Sequence, residues 1–321
     1  MKIEKESDNL FHCQLLKENN LFFSLVCYRN NDFTSHDTSR VSEFFDGFNN
    51  NIQLIDWMKA RPKGNFRIRE IEGDKDIIVV IPTADYNSEY AKNCRERIFK
   101  GLQIIFVESG QSNLFFNYAH NCNAGIKKAM EYDPTWIVLS NDDMVEIDRV
   151  QTLIDNLDAI FPKKKTIVFS QGRLNVGNIV PFGVNTNRRK LFMTIFNNYT
   201  RALIKFEQKF EIKFLVEGNK FPLKYLTKHR CSYRAISDFS ILSADVFKEF
   251  PNFYDDTFVN GGEDIYASLN IYYAGINYRV INYLIDSIGG ASIGSKGRML
   301  KDILNLTYLN YLTKSQLESC L

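Results

Sequence analysis

The stretch Thr135-Trp136-Ile137-Val138-Leu139-Ser140-Asn141-Asp142-Asp143-Met144 decides how this chain is read. An apolar, partly β-branched run ends abruptly in Asn-Asp-Asp. Trp136 to Leu139 has the length and composition of a buried strand. Two adjacent ionised carboxylates at the end of such a strand repel each other unless a cation or hydrogen-bond donors lie between them. In open α/β sheets, ligands bind beyond the carboxyl ends of the strands. A hard divalent cation between carboxylate oxygen and substrate phosphate fits that place. Read blandly, the same residues are a solvated turn, with Asp148 further on capping the next helix.

Upstream, Ile77-Ile78-Val79-Val80-Ile81 is a β-branched run ended by Pro82-Thr83, the composition of a fully buried parallel strand. Ser88 to Lys100 is polar and helix-compatible. Leu102 to Val107 is a second buried strand, ended by Glu108-Ser109-Gly110. Phe115 to Tyr132 is a predicted helix with Ala119, Ile126, Ala129 and Met130 inward, and Pro134 ends it before the strand at 136. The order β-α-β-α-β with short links predicts a doubly wound, mostly parallel sheet with helices on both faces. Thr83 and Asp85, then Glu108, then Asp142 and Asp143 are expected along one edge of it, forming one cleft.

Downstream, Val150, Leu153, Ile154, Leu157, Ile160 and Phe161 have amphipathic helical spacing and read as core packing. Thr166 to Ser170 is another strand. Leu191 to Leu215 is aromatic and basic, preceded by Arg188-Arg189-Lys190 and followed by Lys224, Lys228, His229, Arg230 and Arg234. One reading of 188–234 is a helical cover with a solvated basic face. The other is an acceptor-binding lid or a helix lying on a membrane surface. Ser237-Asp238-Phe239-Ser240-Ile241-Leu242-Ser243 precedes a helix from Ala244 to Phe250. Asn260-Gly261-Gly262-Glu263-Asp264 then opens another. Glu263 and Asp264 there either complement the helix dipole or hold a general base beside a cleft.

Residues 1 to about 75 read as a preface, either a small β-rich module or an elaboration of the main domain, which begins at Asp76. Leu21 to Tyr28 is a predicted strand. Val41 to Met58 is a predicted helix, interrupted by three consecutive Asn residues at 49–51, and Arg61-Pro62-Lys63-Gly64-Asn65 breaks it. The boundaries are thus 1–75 and 76–321, the latter divided into 76–170 and 171–321, the second part with the C-terminal helices.

Composition narrows the classes. The 321 residues suffice for one large α/β domain or two smaller ones. With 45% hydrophobic and 24% charged residues the chain is globular rather than disordered. A net charge of +2 gives no support to a nucleic-acid binder. Cys13, Cys27, Cys94, Cys122, Cys231 and Cys320 form no Cys-x-x-Cys pair and have no accompanying His cluster. That argues against zinc and against a disulfide framework, and reduced thiols in the cytoplasm are the simplest account. The charged start, Met1 to Glu6, lacks a signal-peptide apolar region. No apolar run reaches the ~18 residues a membrane span needs.

Pro82-Thr83, Glu108-Ser109-Gly110, Asn123-Ala124-Gly125, Asn141-Asp142-Asp143 and Gly262-Glu263-Asp264 occur in this order. Together they resemble the motifs of the family 2 glycosyltransferases, which have the GT-A nucleotide-sugar-binding fold, a Rossmann-like sheet. The family pattern is a strand ending in Pro-Thr, a strand ending in an acid with Gly-Ser, and an Asn-x-Gly helix. An Asp-x-Asp-like metal motif and a Glu-Asp motif before a helix follow. Tyr283 to Ser292, with Gly289-Gly290-Ala291-Ser292, resembles the His-x-Gly-Gly-x-Ser segment that often comes next. The resemblance covers residues 76 to 295. Glu108 departs from the usual Asp, Asn141 replaces the first acid of Asp-x-Asp, and Ser287 stands where many members have His, with Asp286 beside it. No Gln-x-x-Arg-Trp signature appears, which argues against a processive synthase.

The resemblance implies inverting transfer of a sugar from a nucleotide-diphosphate donor to the hydroxyl of a glycan or lipid-linked acceptor. It implies Mn²⁺ or Mg²⁺ on Asp143, with Asp142 beside it on the metal, the ribose or a water. It implies donor binding by Pro82, Thr83, Asp85, Glu108, Asn123, Asn141 and Asp142, and Asp264 as general base with Glu263 as the second candidate. The expected location is the cytoplasm, with peripheral contact at the inner membrane surface through 188–234. Two rivals stand beside it. A nucleotidyltransferase would want a Gly-rich basic loop after the first strand, where Pro82-Thr83-Ala84-Asp85 offers none. A glycosyltransferase-like domain that only binds glycans or a partner would account for Asn141 and Ser287.

Overall fold

The computed structural model describes residues 44–111, 113–161, 163–171, 176–179, 231–234, 236, 238–288 and 299–318. In chain order the elements are α1 (Asn51–Ala60), β1 (Arg67–Ile71), β2 (Asp74–Thr83), α2 (Glu89–Asn93) running into a π-helical turn (Cys94–Ile98), β3 (Leu102–Glu108), α3 (Tyr118–Met130), β4 (Trp136–Ser140), β5 (Met144–Glu146), α4 (Val150–Asp158) and β6 (Thr166–Gln171). There follow β7 (Val176–Ile179), β8 (Cys231–Arg234), β9 (Phe239–Ser243), α5 (Ala244–Glu249), α6 (Glu263–Tyr273), β10 (Asn277–Ser287) and α7 (Met299–Glu318).

Eight strands make one sheet in the order β1-β3-β2-β4-β9-β6-β10-β5, and β7 pairs with β8 in a separate ribbon. The buried runs at 77–81, 102–107 and 136–139 form the parallel centre, β3-β2-β4. β2 alternates its side chains between two cores. Ile77, Val79 and Ile81 meet α2, the π turn and α4; Ile78 and Val80 meet α3, α5 and α6. Helices therefore cover both faces, and the fold is mixed α/β.

The sheet itself corrects the expectation of a mostly parallel one. β2–β3, β2–β4 and β6–β10 are parallel, but β1–β3, β4–β9, β6–β9 and β5–β10 are antiparallel. The decisive strand is β9, wedged between β4 and β6 with Ile241 opposite both Val138 and Val168. All five of its residues are buried. A strand buried on both faces shows no alternation, so its composition reveals its burial and not its direction.

Local differences have local causes. The predicted helix 41–58 is broken: 44–46 is helical, then Asn50 accepts from the backbone N–H of Ile52 and Gln53 and starts α1 afresh. Residues 41–43 lie outside the described residues. Asp148 does not cap α4. Its carboxylate accepts from the Leu284 backbone N–H at 2.7 Å, tying the α4 entry to β10. Phe161 lies beyond the end of that helix and is 90% exposed rather than packed. The predicted strand at 21–28, nearly all of the basic aromatic segment 188–234, and Gly289–Ser292 lie outside the described residues. Among the described residues no helix is long and apolar enough to cross a membrane.

The described part of the preface joins the main fold. β1 is the edge strand beside β3. α1 buries Leu54, Ile55, Trp57 and Met58 in a third core with Phe258, Val259 and Leu269, and with Leu304, Tyr308 and Leu309 of α7.

Candidate active site

From β2 the chain goes to β3 on one side and then returns to β4 on the other, so the strand order reverses at β2. Ligand crevices open beyond the carboxyl ends of strands at such a reversal. There the Thr83 hydroxyl donates to Asp142 Oδ2 at 2.7 Å, joining the ends of β2 and β4. Thr83 is held in turn by the Asp85 backbone N–H on its Oγ1 at 3.3 Å. Burial is the main cause that raises the Asp142 carboxyl above its ordinary range; the Thr83 hydrogen bond opposes it and Asp143 adds to it. Asp143 is itself buried, and its carbonyl accepts from the Ile288 N–H just beyond β10 at 3.0 Å. The π turn lies against this corner: Cys94 Sγ donates to the Asp142 carbonyl, and Asn93 Nδ2 to that of Met144.

β9 runs antiparallel to β4, so its amino end reaches the same sheet edge. Asp238 thereby meets Asn141. The Asn141 N–H donates to the Asp238 carbonyl at 2.8 Å, and Asn141 Nδ2 to Asp238 Oδ1 at 3.0 Å. Ser287 Oγ, at the end of β10, donates to Asp238 Oδ2 at 2.8 Å. Asn141 Oδ1 accepts from the hydroxyl of the half-buried Tyr118 at 3.2 Å. Asp238 was not among the expected site residues. An acid just before the apolar run 239–243 was the available signal, and it points to this edge only if that strand is antiparallel.

Glu263 and Asp264 form the first turn of α6, after Gly262 at φ +91°, a backbone conformation that favours glycine. Glu263 is 6% exposed, and its Oε2 accepts from the Gly261 N–H at 2.6 Å. Burial and then the neighbouring Asp264 push its carboxyl up to about 7, against the Gly261 N–H and Lys301. Asp264 is half-buried and its Oδ1 accepts from Ile265 N–H at 2.8 Å. It too is raised, by burial first, with Asp238 contributing. Tyr118, Tyr254 and Cys122 surround the pair closely enough that its charge raises their own pKa values further.

The structure thus brings Thr83, Asn141, Asp142, Asp143, Asp238, Asp264 and Glu263 to one corner. The other expected residues are engaged nearby. Pro82 is buried within β2 opposite Val107. Asp85 accepts from Asn87 N–H and from Gln111 Nε2, both at 2.8 Å. Glu108 receives Arg69 Nε at 3.1 Å and Tyr86 N–H at 3.2 Å, while the guanidinium groups of Arg69 and Arg95 both lie over the Tyr86 ring. Asn123 brackets the Tyr254 backbone, donating to its carbonyl at 2.7 Å and accepting from its N–H at 3.0 Å.

Among the described residues no three His, Cys, Asp or Glu side chains are grouped as a metal-holding set. The adjacent carboxylates at this corner are Asp142 and Asp143. Such a pair suits Mg²⁺-like ions, which take one or two carboxylates and complete their shell with phosphate and water. No protein-family model matches this chain, and no curated protein sequence does.

Proposed function

We propose that the chain is a non-processive, inverting glycosyltransferase of the family 2 kind on a GT-A-like sheet. The observation that carries this reading is the continuous hydrogen-bonded array from Thr83 through Asp142, and from Asn141 through Asp238 to Ser287, at the strand-order reversal. It joins side chains from four separate stretches, the ends of β2, β4 and β10 and the residue before β9, with Asp142 and Asp238 as its acids and the half-buried Asp264 near Asp238.

In this reading the donor is a nucleotide-diphosphate sugar, oriented at the ends of β2 and β4 by Thr83 and Asp142 with Asp85 and Glu108 at the rim. Asp143 and Asp142 would hold Mn²⁺ or Mg²⁺, which when bound supplies charge neutralisation on the departing diphosphate. The acceptor oxygen attacks the anomeric carbon as the bond from that carbon to the diphosphate breaks. Its proton passes to Asp264, and the diphosphate leaves with the bonding electrons. Burial supports Asp264 in this role, since a carboxylate raised toward neutral pH is a stronger base. Asp264 keeps more exposure than Glu263, whose Oε2 is already taken by Gly261. The acceptor class proposed is a glycan or lipid-linked hydroxyl.

The test is turnover of Asp264→Asn and Glu263→Gln beside their melting temperatures. Asn keeps the shape and cannot take the proton. We expect a loss of about 10²–10⁴-fold with donor binding retained. Near-normal transfer by Asp264→Asn would remove it as the base, and a selective loss in Glu263→Gln would move the role one residue back.

A further inference from the structure

Helix α7 lies outside every motif, yet one row of its side chains grips the loop that presents Glu263 and Asp264. Lys301, Asn305 and Tyr308 stand at i, i+4 and i+7, on one helix face. Lys301 is 7% exposed, and its Nζ donates to the Asn260 carbonyl at 2.8 Å. Asn305 brackets Val259, accepting from its N–H at 2.8 Å and donating to its carbonyl at 3.1 Å. The Tyr308 hydroxyl donates to Asp255 Oδ2 at 2.7 Å. A Cβ on Gly261 would lie 3.2 Å from Asn305 Nδ2 and 3.9 Å from Lys301 Nζ, so the ammonium stands against the residue whose N–H holds Glu263.

We propose that α7 is the positioning element of the Glu263–Asp264 pair, with Lys301 as the residue that sets both the loop geometry and the charge balance of the pair. A buried ammonium is kept only where it has acceptors or a counter-charge. Here it has the Asn260 carbonyl, and Glu263 is the carboxylate it favours in ionised form. Among the described residues, the other titratable groups facing the pair are Asp238 just before β9, Tyr118 and Cys122 from α3, and Tyr254 from the preceding loop. None of these is cationic, whereas Lys301 is, and it favours the ionised form of Glu263.

The inference rests on the transfer reading for its catalytic half and on folding alone for its electrostatic half, and two measurements separate them. The first is the pH profile of sugar transfer by wild type, Lys301→Met, Lys301→Gln and Lys301→Arg. Removing the charge lets the pair hold its proton to higher pH, so the acid limb should move up by about one unit in Met and Gln. Arg should restore it. An unmoved limb in both neutral variants, with the wild type active, overturns the proposal and leaves the transfer reading standing.

The second measurement is urea unfolding against pH in the same proteins. A carboxyl raised in the folded state contributes stability that is complete below its unfolded value and lost as pH rises through its folded value. For Glu263 that loss runs from about 4.5 to about 7 in the wild type, and it should extend upward in Met and Gln. The same midpoint in all four proteins overturns the proposal even if no donor is ever turned over, an outcome that would count against the transfer reading alone. Lys301→Gln keeps a hydrogen-bond donor, so a folded comparison remains if Lys301→Met does not fold.

Discussion

Asn141 stands where the glycosyltransferase pattern has an acid, and its surroundings give a physical reason. Its Nδ2 is 3.0 Å from Asp238 Oδ1, so an acid here would set two carboxylates face to face, which cannot both ionise. The acid of this pair is Asp238, across the β4–β9 junction. Asn141→Asp should therefore destabilise by about 1–3 kcal/mol at neutral pH, through the lost donor and the repulsion. The sign with pH follows from linkage: the crowded carboxyl is raised in the folded state, so stability falls as pH rises through its folded value. Urea unfolding should show a larger loss at pH 8 than at pH 5. The double variant Asn141→Asp/Asp238→Asn should recover most of it by exchanging donor and acceptor. A loss independent of pH, with no recovery in the double variant, would refute the pairing. Thr83, Asp142 and Asp143 could be placed from sequence because each follows an apolar run that fixes which way the strand points. Asp238 could not, because it precedes its run, and an end residue is assigned to an edge only once direction is known. Nor could the engagement of Glu108 by Arg69, whose strand lies in the stretch read as a preface.

Among the elements, α3 shows how one short motif divides its work between packing and tethering. Gly125 faces the parallel centre of the sheet, where a Cβ would lie 2.4 Å from Val80 Cγ1 and 3.0 Å from Val107 Cγ2. Asn123, two residues earlier, fastens the same helix to Tyr254. Gly125→Ala gains up to about 1 kcal/mol of helix propensity. It loses about 1–3 kcal/mol from overpacking, because fully buried β-branched side chains have few rotamers into which to retreat. The net result should be a lower urea midpoint with an unchanged slope, and a stabilised protein would show that helix and sheet part easily. The elements most legible in sequence were those with a long apolar run or inward apolar residues at helical spacing. β2, β3, β4 and α3 fall within a few residues of their expected positions, and Asn117 starts α3 as an N-cap should. The antiparallel insertion of β9 and the short β5 were not legible. Direction and edge pairing are settled by tertiary register, such as Asp286 against Val145, which leaves no periodic trace.

Across the whole molecule, the described residues preceding the sheet and those of the last helix close over one loop. Trp57 is fully buried, with Phe44 at 5.3 Å and Phe48 at 5.8 Å between ring centroids, in the core shared with Phe258, Val259 and Leu304. That core is separate from the two that flank the sheet, and the loop it supports runs directly into Glu263 and Asp264. The site therefore has two mechanical supports. The side carrying Thr83 and Asp142 stands on the sheet. The side carrying Glu263 and Asp264 stands on the third core. Trp57→Ala removes a large buried ring and should destabilise by about 3–5 kcal/mol. Because cores of this kind open as local units, the loss should fall unevenly. Hydrogen exchange should accelerate at Val259, Gly261 and the first turn of α6, while the β2 and β4 amides keep their protection. On the proposed reading, transfer should weaken more than nucleotide binding, since Thr83 and Asp142 do not rest on Trp57. Trp57→Phe, which keeps an aromatic ring, should show the same pattern more mildly and guards against outright unfolding of the Ala variant. Equal loss of protection in α6, β2 and β4 would mean that the molecule opens as one unit. The separation of the two supports would then be wrong.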